Sequence, residues 1–254
     1  MNRNETFSAL TVATLSVRLR QTSLEILVDE VEDILVDVTG EEDVVQALNF
    51  SLTDGRLLIE QPLGGFKLRP KDALPMQVSI RVPASWKGAV NAATTSGSML
   101  LQGFSGTDLA FTTTSGDIDA SGLTGINLSL RTAFGDITAH DLAGEDCRAH
   151  TSSGNIQLTE CGFTTCRFRN LIGETDVTLA SPFDKLEGST FSGPVRIIAP
   201  LDRADVFLRS LSGRVLTEGV SITPGAPRVA MRSTSANLKL ICSLSMQADN
   251  IEEE

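Results

Sequence analysis

The chain has 254 residues, of which 41% are hydrophobic and only 5% aromatic, with one Trp and no Tyr, so a core must be filled by Val, Ile, Leu and Ala. A net charge of −11 opposes nonspecific binding to nucleic acid or to an anionic membrane, both of which reward clustered Lys and Arg. No run of 18 apolar residues occurs, which excludes a membrane-spanning helix from the expected elements.

The N-terminal stretch "MNRNETFSALTVATLSVRLR" lacks the apolar core and cleavage site of a signal peptide. Its second half reads as a first strand. The expected compartment is therefore cytoplasmic, with an envelope-associated location lacking a recognisable signal peptide as the alternative. Between there and residue 92, "LEILVDE", "DILVDV", "QALNFSL", "RLLIEQ" and "MQVSIRVP" each alternate polar and apolar residues, the period of a strand. Thr53-Asp54-Gly55 predicts a hairpin turn. Residues 61–75 form a Gly/Pro-rich loop that carries Lys67, Arg69 and Lys71. Residues 1–92 are thus expected to form a β-rich cap or irregular first coils, with Trp86, near Pro83, plugging the open end of the core.

A repeat then takes over. "FTTTSGDIDASG" (residues 111–122) returns as "HTSSGNIQL" from His150, and Gly97, Gly116, Gly135, Gly154 and Gly173 follow one another at intervals of 19. Gly193 and Gly213 come after steps of 20, and Ala236 after a step of 23. Two residues past these positions stand Met99, Ile118, Ile137, Ile156, Val195, Val215 and Leu238. A second apolar column reads Leu109, Leu128, Cys147, Cys166, Leu186 and Val206. Self-similarity at such a period marks a repeat array. Alternation within each copy gives short strands, and Ser-Gly supplies the bend.

One copy cannot bury its apolar side alone. Copies stacked at the strand spacing place like residues on one another, and eight of them span roughly 35 Å. The fold expected over residues 93–247 is an all-β, single-stranded β-solenoid (β-helix) with coils of about 19–20 residues, wound in chain order. "TPGAPR" (residues 223–228) reads as a loop bulging from the last coil. Residues 248–254 form an acidic tail.

Three columns bear chemistry. Asp117, Asp136 and Asn155 follow the turn glycines. Stacked carboxylates could hold Ca²⁺ or act as the paired acids of a polysaccharide-acting enzyme. The stronger expectation is that they accept backbone N–H groups, repeating because the turn repeats. Arg131, His150, Arg169, Arg209 and Arg232 share a position interrupted by Ser189, and Arg148 and Arg167 form a shorter stack beside them. Such a stripe could grip a repeating anion such as a wall polymer, or it could be a set of solvated side chains paired with nearby acids. Cys147 and Cys166 fall in adjacent coils and, with Cys161, are expected as free buried thiols filling core positions. No nucleophile elbow, phosphate loop or zinc-protease motif is present among the Ser, Gly and two His residues, so no catalytic, metal-binding or cofactor-binding residues are assigned.

With the repeats aligned, the pieces "TTSGDI", "TAFGDI" and "TSSGNI", together with the upstream "IRVPASWKG", resemble a bacterial domain family of unknown function called the "putative adhesin" domain. It is found near Lia-type cell-envelope stress systems. The resemblance implies a β-solenoid without catalytic residues in an envelope-associated context. The functional expectation is a non-enzymatic, adhesin-like binding or interaction module. Its expected partner is an unidentified protein or envelope polymer, and its expected state a monomer or weak homo-oligomer. The alternative is a scaffold assembling end to end.

Overall fold

The structure is a computed structural model and describes residues 1–62 and 76–243. Lys67, Arg69, Lys71 and the acidic tail lie outside the described residues. The chain begins with β1 (Asn2–Phe7), β2 (Thr14–Arg18), β3 (Thr22–Asp29) and β4 (Ile34–Thr39), then a short helix, α1 (Glu42–Gln46). β5 (Asn49–Thr53) and β6 (Arg56–Glu60) form the expected hairpin, and β7 (Met76–Pro83) follows. Its turn residues Asp54 and Gly55 both lie in the left-handed region, at φ 50° and 74°, which suits the twist of paired strands.

The repeat then supplies β8 (Ala89–Ser96), β9 (Met99–Gln102), β10 (Ser105–Ser115), β11 (Ile118–Ser121), β12 (Thr124–Arg131) and β13 (Ile137–His140). Next come β14 (Ala143–Ser153), the long β15 (Ile156–Ile172), β16 (Thr175–Leu179), β17 (Lys185–Ser192) and β18 (Val195–Ala199). The chain finishes with β19 (Arg203–Ser210), β20 (Val215–Glu218), β21 (Ser221–Ile222), β22 (Arg228–Ser235) and β23 (Leu238–Cys242).

Each coil gives one strand to each of two facing parallel sheets. Ile118 stacks on Ile137 and Ile137 on Ile156 in one sheet, while Leu109, Leu128, Cys147 and Cys166 stack in the other. These columns are buried and form the core between the sheets.

Two corrections concern the ends. Coils do not stack throughout in chain order. The last pair, β22/β23, inserts between β17/β18 and β19/β20, so Leu238 lies between Val195 and Val215. The N-terminal end is built the same way, with β2/β3 inserted between β6/β7 and β8/β9. Residues 1–92 thus contribute two further parallel layers as well as antiparallel edges, β1–β4–β7 in one sheet and β5–β6 in the other.

Nor does Trp86 plug the open end. Its ring is buried at a corner, where Nε1 donates to the Val12 carbonyl at 2.7 Å and the absent side chain of Gly88 makes room for the indole. The plug is α1, which runs from β4 of one sheet to β5 of the other and buries Val45 and, just beyond it, Leu48. That helix has no counterpart in the strand-only reading.

The corner glycines are required by contact between coils. A Cβ on Gly135 would stand 2.1 Å from the Gly116 carbonyl oxygen. One on Gly154 would stand 2.0 Å from that of Gly135, and one on Gly173 2.0 Å from that of Gly154. Three residues before Gly135 and Gly154 stands a buried hydroxyl that satisfies the same carbonyls. Thr132 Oγ1 donates to Gly116 O and Thr151 Oγ1 to Gly135 O, both at 3.0 Å. In the next coil Asn170 Nδ2 donates to Gly154 O at 3.0 Å, and at the far end Ser210 Oγ donates to Ala236 O at 2.8 Å. The first Thr of the "T-x-S-G" piece is therefore the partner of the glycine one coil below.

Two substitutions test this corner by urea denaturation. Gly135→Ala forces the coils apart and is expected to lower stability by about 1–3 kcal/mol. Thr151→Val strands a buried carbonyl, for a loss of about 1–3 kcal/mol.

Candidate functional site

The parallel register brings all five residues of the basic column together on the outer face of the sheet containing β12 and β14. The order across the strands is Arg131, His150, Arg169, Ser189, Arg232, Arg209. Arg232 precedes Arg209 because β22 is the inserted strand. Strands about 4.8 Å apart thus carry a nearly continuous row of cationic or imidazole side chains.

Among the described residues, no carboxylate lies within 4.0 Å of the guanidinium of Arg131, Arg169, Arg209 or Arg232. Arg232 instead lies 5.9 Å from the centroid of the Phe207 ring. Burial, and then the neighbouring Arg169 and Arg131, hold the His150 imidazole below its ordinary pKa. The column is therefore a line of charge without local compensation.

The shorter stack behaves differently. Arg148 pairs with Asp146 at 2.9 Å, and Arg167 reaches both Asp146 and, at 3.4 Å, Glu187. Lys185 also pairs with Glu187, at 2.9 Å. These cations already have partners. Beside the small Ser189 lies a hollow of about 340 Å³, walled by Arg167, Glu187, Arg228, Ala230 and Arg232.

The acidic column is engaged by the backbone. Asp117 Oδ1 accepts the Asp136 N–H at 2.9 Å, Asp136 Oδ1 accepts that of Asn155 at 2.7 Å, and Asn155 Oδ1 accepts that of Glu174 at 2.9 Å. One oxygen of each side chain is thus spent on the coil above. This is the turn-bonding role. No cluster of three or more His, Cys, Asp or Glu able to hold a metal ion is present among the described residues. The other histidine, His140, makes an exposed pair with Glu160 at 3.5 Å.

All four cysteines are buried and none is in a disulfide, and Cys147 pairs in register with Cys166. Burial pushes the Cys161 thiol up to about 11. The Cys147 thiol is raised as well, by its contact with Cys166 and then by burial. Native protein at pH 8 is expected to resist alkylation, whereas denatured protein without reductant takes up four alkyl groups. Mass measurement of both samples checks this.

One surface feature escapes the column reading. At the corner beside the arginines, Phe134, Ile172, Phe191 and Leu211 are 62%, 59%, 56% and 75% exposed. They stand one or two residues before the corner glycines, at positions filled by Ser, Thr or Ala in other coils. No single column groups them, which is why the repeat hides them.

The family model for Toastrack DUF4097 matches residues 12–225. This chain belongs to the Toastrack DUF4097 family. Among solved structures it is similar to a "putative adhesin" from Bacteroides fragilis NCTC 9343, with a TM-score of 0.63, 10% identity, and 94% of this chain and 97% of that one covered. It is also similar to a "Putative lipid binding protein" from Parabacteroides distasonis ATCC 8503, with a TM-score of 0.53, 13% identity, and coverage of 94% and 96%. No curated protein matches the sequence. These likenesses establish the Toastrack fold and a bacterial family of β-rich repeat proteins, consistent with the resemblance read from the T-x-S-G pieces.

Proposed function

We propose that this Toastrack chain is a non-catalytic, adhesin-like binding module of the bacterial envelope-stress setting, and that its contact surface is the outer face bearing Arg131, His150, Arg169, Arg232 and Arg209. The observation that carries the reading is that, among the described residues, the four arginines have no acid partner in a protein of net charge −11. Surface arginines normally find one of the many carboxylates available, as Arg148 and Arg167 do. A row left open at strand spacing offers repeated, forked donors to an anionic partner. The non-catalytic part is supported by the acidic column, in which one oxygen of each side chain is bonded to a backbone N–H group.

The test uses a soluble polyanion such as polyphosphate. R131S/R169S/R209S/R232S, all at exposed positions, is expected to keep its Tm and weaken binding at least about tenfold. Bound anion stabilises the imidazolium, so the His150 pKa followed by NMR should rise on binding. Unchanged affinity in the quadruple variant refutes the proposal.

A second reading, self-association, is favoured by the end bearing β19 and β20. There Val215 and Leu216 are 45% and 48% exposed, whereas Val195 and Leu238 in the same column as Val215 are 2% exposed. The opposite end is closed by α1 and antiparallel strands. One open end limits association to pairs. Light scattering at rising concentration is expected to stop at the dimer mass, and V215S/L216S to remain monomeric. Filaments would contradict this geometry.

A further inference from the structure

We infer that the corner carrying Ile172, Phe191 and Leu211 docks on an anionic lipid surface, with Arg169, Arg232 and Arg209 meeting its phosphates. This rests on the proposed anion-binding role of the column and names its partner. The register sets the two rows side by side. Leu171, Phe191, Thr234 and Leu211 succeed one another across β15, β17, β22 and the end of β19, two residues beyond Arg169, Ser189, Arg232 and Arg209.

On the far side of the corner, the residue after each glycine position changes character along the rod. It is Ser98, Asp117, Asp136 and Asn155 in the earlier coils, but Glu174, Pro194, Asn237 and Arg214 in the later ones. The later coils therefore flank their exposed apolar residues with Arg169, Arg232 and Arg209 on one side and Arg214 on the other. Glu174 is the one acid at those four turn positions.

A soluble polyanion would satisfy the arginines and leave Phe191, Leu211 and Ile172 in water. A bilayer interface takes both, since apolar side chains enter the headgroup boundary while guanidinium groups stay with the phosphates. The residues stand on a convex corner, which suits a deformable surface better than a rigid pocket. The overall charge of −11 does not forbid this, because charges beyond about 8 Å are largely screened at physiological ionic strength. It instead orients the rod, turning this corner toward the lipid and the acidic faces away.

The experiment is co-sedimentation of the full chain with phosphatidylglycerol–phosphatidylcholine vesicles, using pure phosphatidylcholine vesicles as the control. The wild type is expected to bind the anionic vesicles alone, and less at high salt. R169S/R209S/R232S should lose about a hundredfold in partitioning, and F191S/L211S at least about tenfold, each with an unchanged Tm. Polyphosphate binding should fall in the first variant and persist in the second. Vesicle binding undiminished in F191S/L211S overturns the inference, as does the loss of self-association in that variant without loss of vesicle binding. Wild type that binds polyphosphate but no anionic vesicle overturns the lipid assignment and leaves the anion-binding column standing. Binding to neither overturns both.

Discussion

The fold depends on how closely two coils approach at the glycine corner. There the carbonyl oxygen of one coil occupies the space that a side chain on the next would need. A buried Thr, Asn or Ser hydrogen-bonds that oxygen at several levels, and an Asp or Asn bonds the N–H of the following layer. These groups form two parallel polar ladders around one bend. Because backbone polar groups buried away from water must be paired, each ladder satisfies what close stacking would otherwise strand. The Ile, Leu and Val columns fill the interior, but the corner sets the distance and register at which they meet.

That corner also explains why the face chemistry is ordered. With the register held coil by coil, a residue type repeated at one position becomes a row in space. The same rule yields three outcomes. The acids at the turn are taken up by backbone donors, the cations at Arg148 and Arg167 by neighbouring carboxylates, and the cations at Arg131, Arg169, Arg209 and Arg232, among the described residues, by neither. Position relative to the bend, and not residue type alone, separates structural charge from charge open to a partner.

Much of this was legible in the sequence because the period is nearly constant. The Ile118–Ile137–Ile156 stack, the hairpin at Asp54-Gly55 and the membership of the basic column follow from spacing. The order of layers at the ends did not follow. Periodicity says which residues share a position within a coil, and it is silent on which coil lies next to which. The step of 23 residues and its loop at 223–228 are the local trace of the chain doubling back to insert β22. α1 spans five residues, too short for a helical period to show, and only the acidic Glu42 and Asp43 in its first turn hint at it. The exposed row containing Phe191 and Leu211 was hidden because its members interrupt a column of small polar residues instead of forming one of their own.

The interleaving at both ends bears on how the molecule comes apart. In an ordinary solenoid the last strand is an edge, and tension on the terminus peels it away one hydrogen bond at a time. Here β23 is held between β18 and β20, and β2 between β6 and β8. A pull at the N-terminus first meets β1, which pairs with β4 alone, but once it reaches β2, or acts on β23, the strand is gripped on both sides and must break both ladders together. The interleaved strands β2 and β23 therefore resist tension in shear, where an edge strand would unzip.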